Sequence, residues 1–290
     1  MGCHMAWMEG APHGAVEQLD PLVRRVLAPN PSAFTFTGTQ THIVGRGDVA
    51  VIDPGPDIPS HIDALLKATA GERIVAIVCT HTHRDHSPGT RPLQAATGAP
   101  IIGCAPLALV GGDDDESFDP DYVADRVLAD GEALEGPGWT LEAVATPGHT
   151  SNHVCFALPE SRALFSGDHV MGWSTSIVSP PDGDMGAYVA SLEKLLGRDD
   201  AIYYPAHGPA VDEPRKLVRG LILHRMQREA GILAELKAGK ADIPSIVASL
   251  YRAVDPRLHP AAARSVLAHL IDLEKRGLVN AEGEAWKVRE

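Results

Sequence analysis

Cysteine is scarce in this chain. The four residues, at positions 3, 79, 104 and 155, include no C-x-x-C pair among 290 residues. That spacing excludes both a disulfide framework and a thiolate zinc site, and the thiols read as small core residues in a reducing compartment. No stretch approaches the roughly 20 consecutive apolar residues that a membrane-spanning helix needs. The opening MGCHMAWMEGAPHG lacks a basic segment followed by an apolar one, so no secretory leader is expected and a soluble cytoplasmic protein is the expectation. The first four residues, MGCH, read as a cloning scar, and His4 is given no function. Low-complexity runs are also missing: 23 Pro and 28 Gly are scattered, and a hydrophobic share of 44% is ordinary for a globular chain. Disorder, collagen, coiled coil and solenoid are thereby set aside.

Basic residues are outnumbered, 25 against 38, for a net charge of −13. The imbalance is local. Residues 213–290 hold 14 basic and 10 acidic side chains, a net of +4, which leaves 11 and 28, a net of −17, for residues 1–212. An acidic body is a poor non-specific binder of nucleic acid, while the mildly basic tail leaves room for a local anionic partner. At roughly 150 residues per domain the length suggests one large domain or two unequal ones. The division expected is 1–212 and 213–290.

Patterning within the body is of the α/β kind. THIVGRGDVAVID, residues 41–53, has two β-branched runs around GRGD and reads as a hairpin whose second strand ends at Asp53. A helix is expected over 59–70. RIVAIVCT (73–80) is a nearly continuous apolar run, as for a strand covered on both faces, and it opens into His81. Further expectations are a helix over 89–97, a strand over 100–103 and a solvated acidic loop with Asp113, Asp114, Asp115, Glu116, Asp119 and Asp121. Strands over 140–146, 153–158, 163–166 and 201–204 follow, with a helix over 185–196. In the tail, residues 213–239, 243–252 (with Asp242 as cap) and 259–276 read as helices. A turn at Glu282-Gly283 between short β-like runs makes the whole look like a winged-helix unit. Nucleic-acid binding and an accessory or homodimer-forming role are both open to it.

Histidine is abundant, with 14 residues, and its placement carries the chemistry. Residues 79–90, CTHTHRDHSPGT, contain H-x-H-x-D-H: His81, His83, Asp85 and His86 at a strand exit. Three more ligand-type residues follow apolar runs beside Gly or Pro: His149 in TPGHTSNH, Asp168 in FSGDH and His207 in YPAHG. Zinc accepts imidazole nitrogen and carboxylate oxygen, and a catalytic site keeps a position for water. Seven ligands with one shared carboxylate therefore suit two metals better than one.

Asp53, H-x-H-x-D-H, His149, Asp168 and His207 stand in the order and local contexts of the metallo-β-lactamase superfamily, which this sequence resembles over roughly residues 30–210. With its helical tail it is similar to the β-lactamase-like proteins, a branch that includes an endoribonuclease, and to glyoxalase II hydrolases. The resemblance implies an αββα sandwich followed by a small winged-helix-like domain. It implies two Zn²⁺ ions, with Mn²⁺ or Fe²⁺ as alternatives: His81, His83 and His149 hold one, Asp85, His86 and His207 the other, and Asp168 and a hydroxide bridge them. Asp85 and His86 then serve catalysis, and Asp53 orients a ligand. The activity implied is hydrolysis of an ester-, thioester-, lactone- or amide-type bond in a small molecule. The alternatives are a single-stranded RNA endoribonuclease, a weak or promiscuous β-lactamase, and a winged-helix nucleic-acid binder with a regulatory metal domain. Only 38 residues separate Asp168 from His207, too few for the extra domain of large RNA-processing relatives.

Other residues receive plainer expectations. His153 and His169 adjoin ligands and are secondary candidates for supporting them. His42, His61, His224, His259 and His269 are expected on the surface or in the core. Arg84, Trp173, Tyr188 and Tyr204 are candidates to line the cleft. Arg215, Lys216, Arg219, Arg225 and Arg228, along one helix, are candidates for a cationic pocket that accepts an acidic thiol carrier or RNA phosphate.

Overall fold

The computed structural model describes residues 12–107 and 117–289. Two compact units divide the chain: Met1–Ala145, Asn152–Ser174 and Asp199–Pro214 form one, and Thr146–Ser151, Thr175–Arg198 and Arg215–Glu290 the other. His4, Asp113, Asp114, Asp115 and Glu116 lie outside the described residues.

The first unit is two sheets enclosing one core. Strands β1 (Val16–Asp20), β2 (Val23–Leu27), β3 (Gln40–Arg46), β4 (Asp48–Ile52), β5 (Arg73–Cys79), β6 (Ile101–Gly103) and β7 (Arg126–Val127) form the first sheet in that order. The first three pairings are antiparallel and the last three parallel. The parallel steps require crossovers, supplied by α1 (Pro59–Ala68) between β4 and β5 and α2 (Thr90–Thr97) between β5 and β6. The second sheet runs in the order β12 (Ile202–Pro205), β11 (Ala163–Gly167), β10 (Val154–Leu158), β9 (Trp139–Ala145), β8 (Ala133–Gly136).

The core lies between the sheets. Ile43, Val51 and Ile77, on one face of the first, meet Leu141, Ala143, Phe156, Leu158 and Phe165 from the second. Each fully buried Val, Ile, Leu or Phe stabilises by about 1.5–3 kcal/mol, so the interior runs of β4, β5 and β10 carry the fold. Trp139, 1% exposed, also fixes the sheets by direction: its indole Nε1 donates to the backbone oxygen of Asp48, 2.9 Å away at the β3–β4 turn. Gly45, at φ +98°, leaves the space for that ring, since a Cβ there would run into the indole.

The hairpin, the β5 strand and most helix spans fall where the sequence places them, to within a few residues. Strands β1, β2, β7 and β8 are additions. VEQLD and VRRVL carry charged residues at interior positions, which breaks the alternation that marks a strand. The acidic loop needs a correction at Asp119, which is 7% exposed, pairs with Arg91 at 2.9 Å and accepts a hydrogen bond from Ser87 Oγ at 2.9 Å. A cation two elements away, invisible in local sequence, drew it inward.

In the second unit, α3 (Met185–Leu196), α4 (Pro214–Lys237), α5 (Ile243–Leu250) and α6 (His259–Lys275) precede the antiparallel wing β13 (Val279–Glu282) and β14 (Ala285–Val288). Asp242 caps α5 by accepting from Ser245 N at 2.8 Å. Ile232, Ile246, Val266, Leu270, Leu273, Val279 and Trp286 form its separate core.

His42 and His61 are core residues, 2% and 1% exposed. Burial, helped by the nearby Arg25 cation, pushes the His42 imidazole down to about 3, and burial pushes that of His61 to about 4. Both are neutral in the folded protein and take up a proton near 6.5 when unfolded, so the unfolded state binds more protons below that pH. Stability is therefore expected to fall as pH drops from about 6.5 toward 4. Urea midpoints across that range check it, and His42→Phe, which keeps a ring against Phe165 (5.1 Å between centroids), should flatten the slope. Gly45→Ala should cost about 3 kcal/mol or more in the same assay, because both φ and the indole oppose it.

Candidate metal centre

Every ligand candidate stands just past a strand or in the loop after one, where a side chain leaves the sandwich without disturbing its core. Asp53 follows β4 at φ +49°, a left-handed conformation that Asp tolerates better than most residues. From there its carboxylate accepts hydrogen bonds from Thr80 N and Thr80 Oγ1, both at 2.8 Å, and from His86 Nδ1 at 3.0 Å. The end of β4 is thus tied to the end of β5. His81, His83, Asp85 and His86 follow β5 in a tight loop closed by His86 N and Ser87 N donating to His83 O, at 2.9 and 3.1 Å. Asp168 follows β11 after Gly167 (φ +50°), and its backbone N–H donates to His153 Nε2 at 3.3 Å. His207 follows β12.

Ligand atoms of His81, His83, His149 and Asp168 all lie within 4.8 Å of one another, and so do those of Asp85, His86 and His207. The seven residues singled out in the sequence therefore fall into two donor sets. His207 Nε2 is 3.1 Å from Asp85 Oδ2 and 3.3 Å from Asp168 Oδ1, and His86 Nε2 is 3.6 Å from each of the same oxygens. Neither Nε2 makes a hydrogen bond, although both rings are fully buried. Buried polar atoms without partners are rare in native proteins and ask for an explanation.

The far side of each ring explains the direction of the near side. A carboxylate or carbonyl oxygen only accepts, so His86 Nδ1 (to Asp53), His207 Nδ1 (to Gly38 O, 3.3 Å) and His149 Nδ1 (to Ile177 O, 2.6 Å) carry the proton. In the neutral ring each Nε2 then carries the lone pair, the state in which imidazole binds a metal. His81 Nε2 and His83 Nδ1 lie 2.9 Å apart, in hydrogen-bond contact, which brings both nitrogens to one donor set. Nitrogen and carboxylate donors of this kind suit Zn²⁺, Mn²⁺ or Fe²⁺, and neither donor set includes a thiol: among the described residues Cys79, Cys104 and Cys155 are buried and form no disulfide.

The electrostatics suit a cation at this point. Burial alone would lower the basicity of His86 and His207, but the carboxylates of Asp85 and Asp168 outweigh it and hold both imidazoles above the usual range. Burial alone would raise Asp85, yet His86 and His207 draw it well below the usual carboxylate range. The cluster favours positive charge at its centre.

The secondary candidates divide. His153 does support a ligand, through Asp168 N. Arg84 is exposed and donates to Phe118 O at 2.7 Å. Trp173 stacks on Phe36 (5.0 Å between centroids) beside Gly208, the neighbour of His207. Tyr204 is a correction: it is 4% exposed in the sandwich core, packed on Phe165, and lines no cleft. Tyr188 is fully buried under Arg225. Two of the five cations expected to form a pocket along α4 are taken up within the fold. Arg225 is buried and Arg228 is held by Leu250 O and the Tyr251 ring, so neither is available to an anion. Gly38, Thr80 and Ile177 escaped the sequence reading because backbone atoms do part or all of their work, and backbone is the same at every residue.

A model of the metallo-β-lactamase superfamily matches residues 35–207, and one of the β-lactamase-associated winged helix domain matches residues 243–286. The β-lactamase-like protein 2 homolog of Caenorhabditis elegans is 34% identical over 280 residues, 94% of this chain and 91% of its own length. An atrochrysone carboxyl ACP thioesterase of Aspergillus chevalieri is 34% identical over 229 residues, 78% of this chain and 69% of its own. Among solved structures, a β-lactamase domain protein from Burkholderia ambifaria superposes with a TM-score of 0.80 at 18% identity, covering 97% of this chain and 96% of that one. The two-sheet sandwich, the winged tail and these matches agree: the chain belongs to the metallo-β-lactamase superfamily of hydrolases and carries the winged-helix domain associated with it.

Proposed function

We propose that the chain is a two-metal hydrolase of a small carbonyl substrate of the ester, thioester, lactone or amide type, with thioesters the first class to test. The observation that carries this is the pair of donor sets, with Asp168 Oδ1 of the first set 3.6 and 3.3 Å from the buried His86 and His207 Nε2 atoms of the second. His81, His83 and His149 would hold one divalent ion, Asp85, His86 and His207 the second, and Asp168 would be shared. Two such ions supply a water of pKa near roughly 7 as nucleophile and polarise the carbonyl oxygen. The chain's own part is placement. Asp53 holds His86 by its Nδ1 proton, Gly38 O does so for His207, and His153 fixes the backbone of Asp168. Preference for thioesters is supported by the ACP thioesterase relative. An RNA substrate would need free cations, and two of the five tail candidates are committed within the fold.

Metal analysis of the purified chain should find about two divalent ions. A panel of thioester, lactone, β-lactam, phosphodiester and RNA substrates should give carbonyl hydrolysis, with Asp85→Ala lowering kcat/KM by about 100-fold or more. Undiminished turnover in that variant would refute the two-metal reading, and cleavage confined to RNA would refute the carbonyl one.

Asp53→Asn changes little in shape but much in hydrogen bonding. Oδ2 accepts from both Thr80 Oγ1 and His86 Nδ1, and an amide nitrogen there accepts from neither. Affinity for one ion should fall by about 10- to 100-fold, read by chelator competition. An unchanged affinity would show that His86 keeps its orientation without Asp53.

A further inference from the structure

Arg225, on α4, is 3% exposed. A guanidinium taken out of water is costly unless polar partners replace the solvent. It meets a carbonyl and a tyrosine side chain: Nη2 donates to Ser176 O, Cζ stands 5.0 Å from the centroid of the Tyr188 ring, and the guanidinium hydrogen-bonds the Tyr188 side chain. Its Nε makes no hydrogen bond. Such a cation adds little to stability for its cost, which directs attention to what it holds together.

Both of its contacts lead to His149. Ser176 precedes Ile177, whose carbonyl accepts the Nδ1 proton of His149 at 2.6 Å. Tyr188 belongs to α3, and Gly148, the residue before His149, is pressed on the backbone of that helix at Tyr188. Gly148 has φ +138°, and a Cβ on it would collide with the Tyr188 backbone. Its carbonyl also accepts from the N–H of Asp184, the residue that caps α3, at 2.9 Å. One side chain thus ties the segment that binds the His149 ring to the helix that binds the His149 backbone.

We propose that Arg225 is a positioning residue of the metal centre: by clamping Ser176 to Tyr188 it keeps the Ile177 carbonyl on His149 Nδ1, and so sets the tautomer and aim of one ligand of one ion. The inference rests on the two-ion reading and deepens it. It gives α4, the helix leading into the winged-helix domain, a direct task at the site. Partners that orient a metal-bound histidine in this way are typically worth 10- to 100-fold in metal affinity.

The test loads the full chain with Zn²⁺ and withdraws the metal with a chelator, for the parent, Arg225→Met, Arg225→Lys and Leu270→Ala. Leu270 is fully buried in the winged-helix core, in a cluster that includes neither Ser176 nor Tyr188, so its truncation measures what lost stability alone does. Arg225→Met should release one of its two ions at a chelator concentration about 10- to 100-fold lower, with the second leaving as in the parent. Arg225→Lys keeps a donor and a cation and should recover part of the shift. Leu270→Ala should melt earlier yet release both ions as the parent does. In the metal-free chain, the His149 Nδ1–H resonance should be sharp in the parent and broadened in Arg225→Met. Loss of both ions in step, loss of neither, or an unaltered Nδ1–H resonance in Arg225→Met overturns the proposal. A parent that binds fewer than two ions overturns the two-ion reading instead, and the resonance still decides whether Arg225 holds His149.

Discussion

Two imidazole nitrogens, on His86 and His207, are sealed from water and face oxygens of Asp85 and Asp168 at 3.1–3.6 Å. So much electron density in so little solvent is unfavourable unless positive charge sits among it, as protons or as metal ions. The surrounding chain is arranged to keep that contact. Each ring is pinned from behind by an acceptor, Asp53 for His86 and Gly38 O for His207, so the lone pairs cannot turn away. Such preorganisation places the cost of assembling the site in folding rather than in binding.

The sandwich is the rigid part that makes this possible. Its core is aliphatic, its sheets are linked by the Trp139 indole, and its strands end with candidate ligands in the loops beyond. Loops that start from buried strands inherit the precision of those strands. Asp119 shows the same economy at the H-x-H-x-D-H loop: Arg91 neutralises it and Ser87 Oγ bonds it, so an acidic residue from a distant segment braces the turn that carries four ligand candidates.

Charge in the tail takes on a different meaning once contacts are visible. A net of +4 over residues 213–290 suggests an anion-binding surface. In the folded unit Arg264 donates to Ser179 Oγ and Pro180 O, Lys275 pairs with Asp184, Arg276 with Glu229, and Lys287 with Glu282. Several of the cations thus have partners within the unit, although exposed pairs of this kind stabilise little. The same winged-helix outline can therefore serve packing as readily as recognition, and fold alone does not choose between them.

Much of the protein was legible in its sequence for a local reason. Histidine and aspartate directly after apolar runs, beside Gly or Pro, announce strand ends that present ligands, and the alternation of strands and helices announces the layered α/β architecture. The Asp242 cap and the 185–196 helix were readable on the same terms. What tertiary structure alone decided concerns groups without a sequence signature: the carbonyls of Gly38 and Ile177 that choose histidine tautomers, the burial of Tyr204 rather than its presentation to a cleft, and the inward turn of Asp119. Arg225 belongs with them, because its sequence neighbourhood is that of a solvated helix face. Periodicity reports which side of an element is apolar, but a hydrogen bond between residues dozens of positions apart depends on where the chain has come to rest.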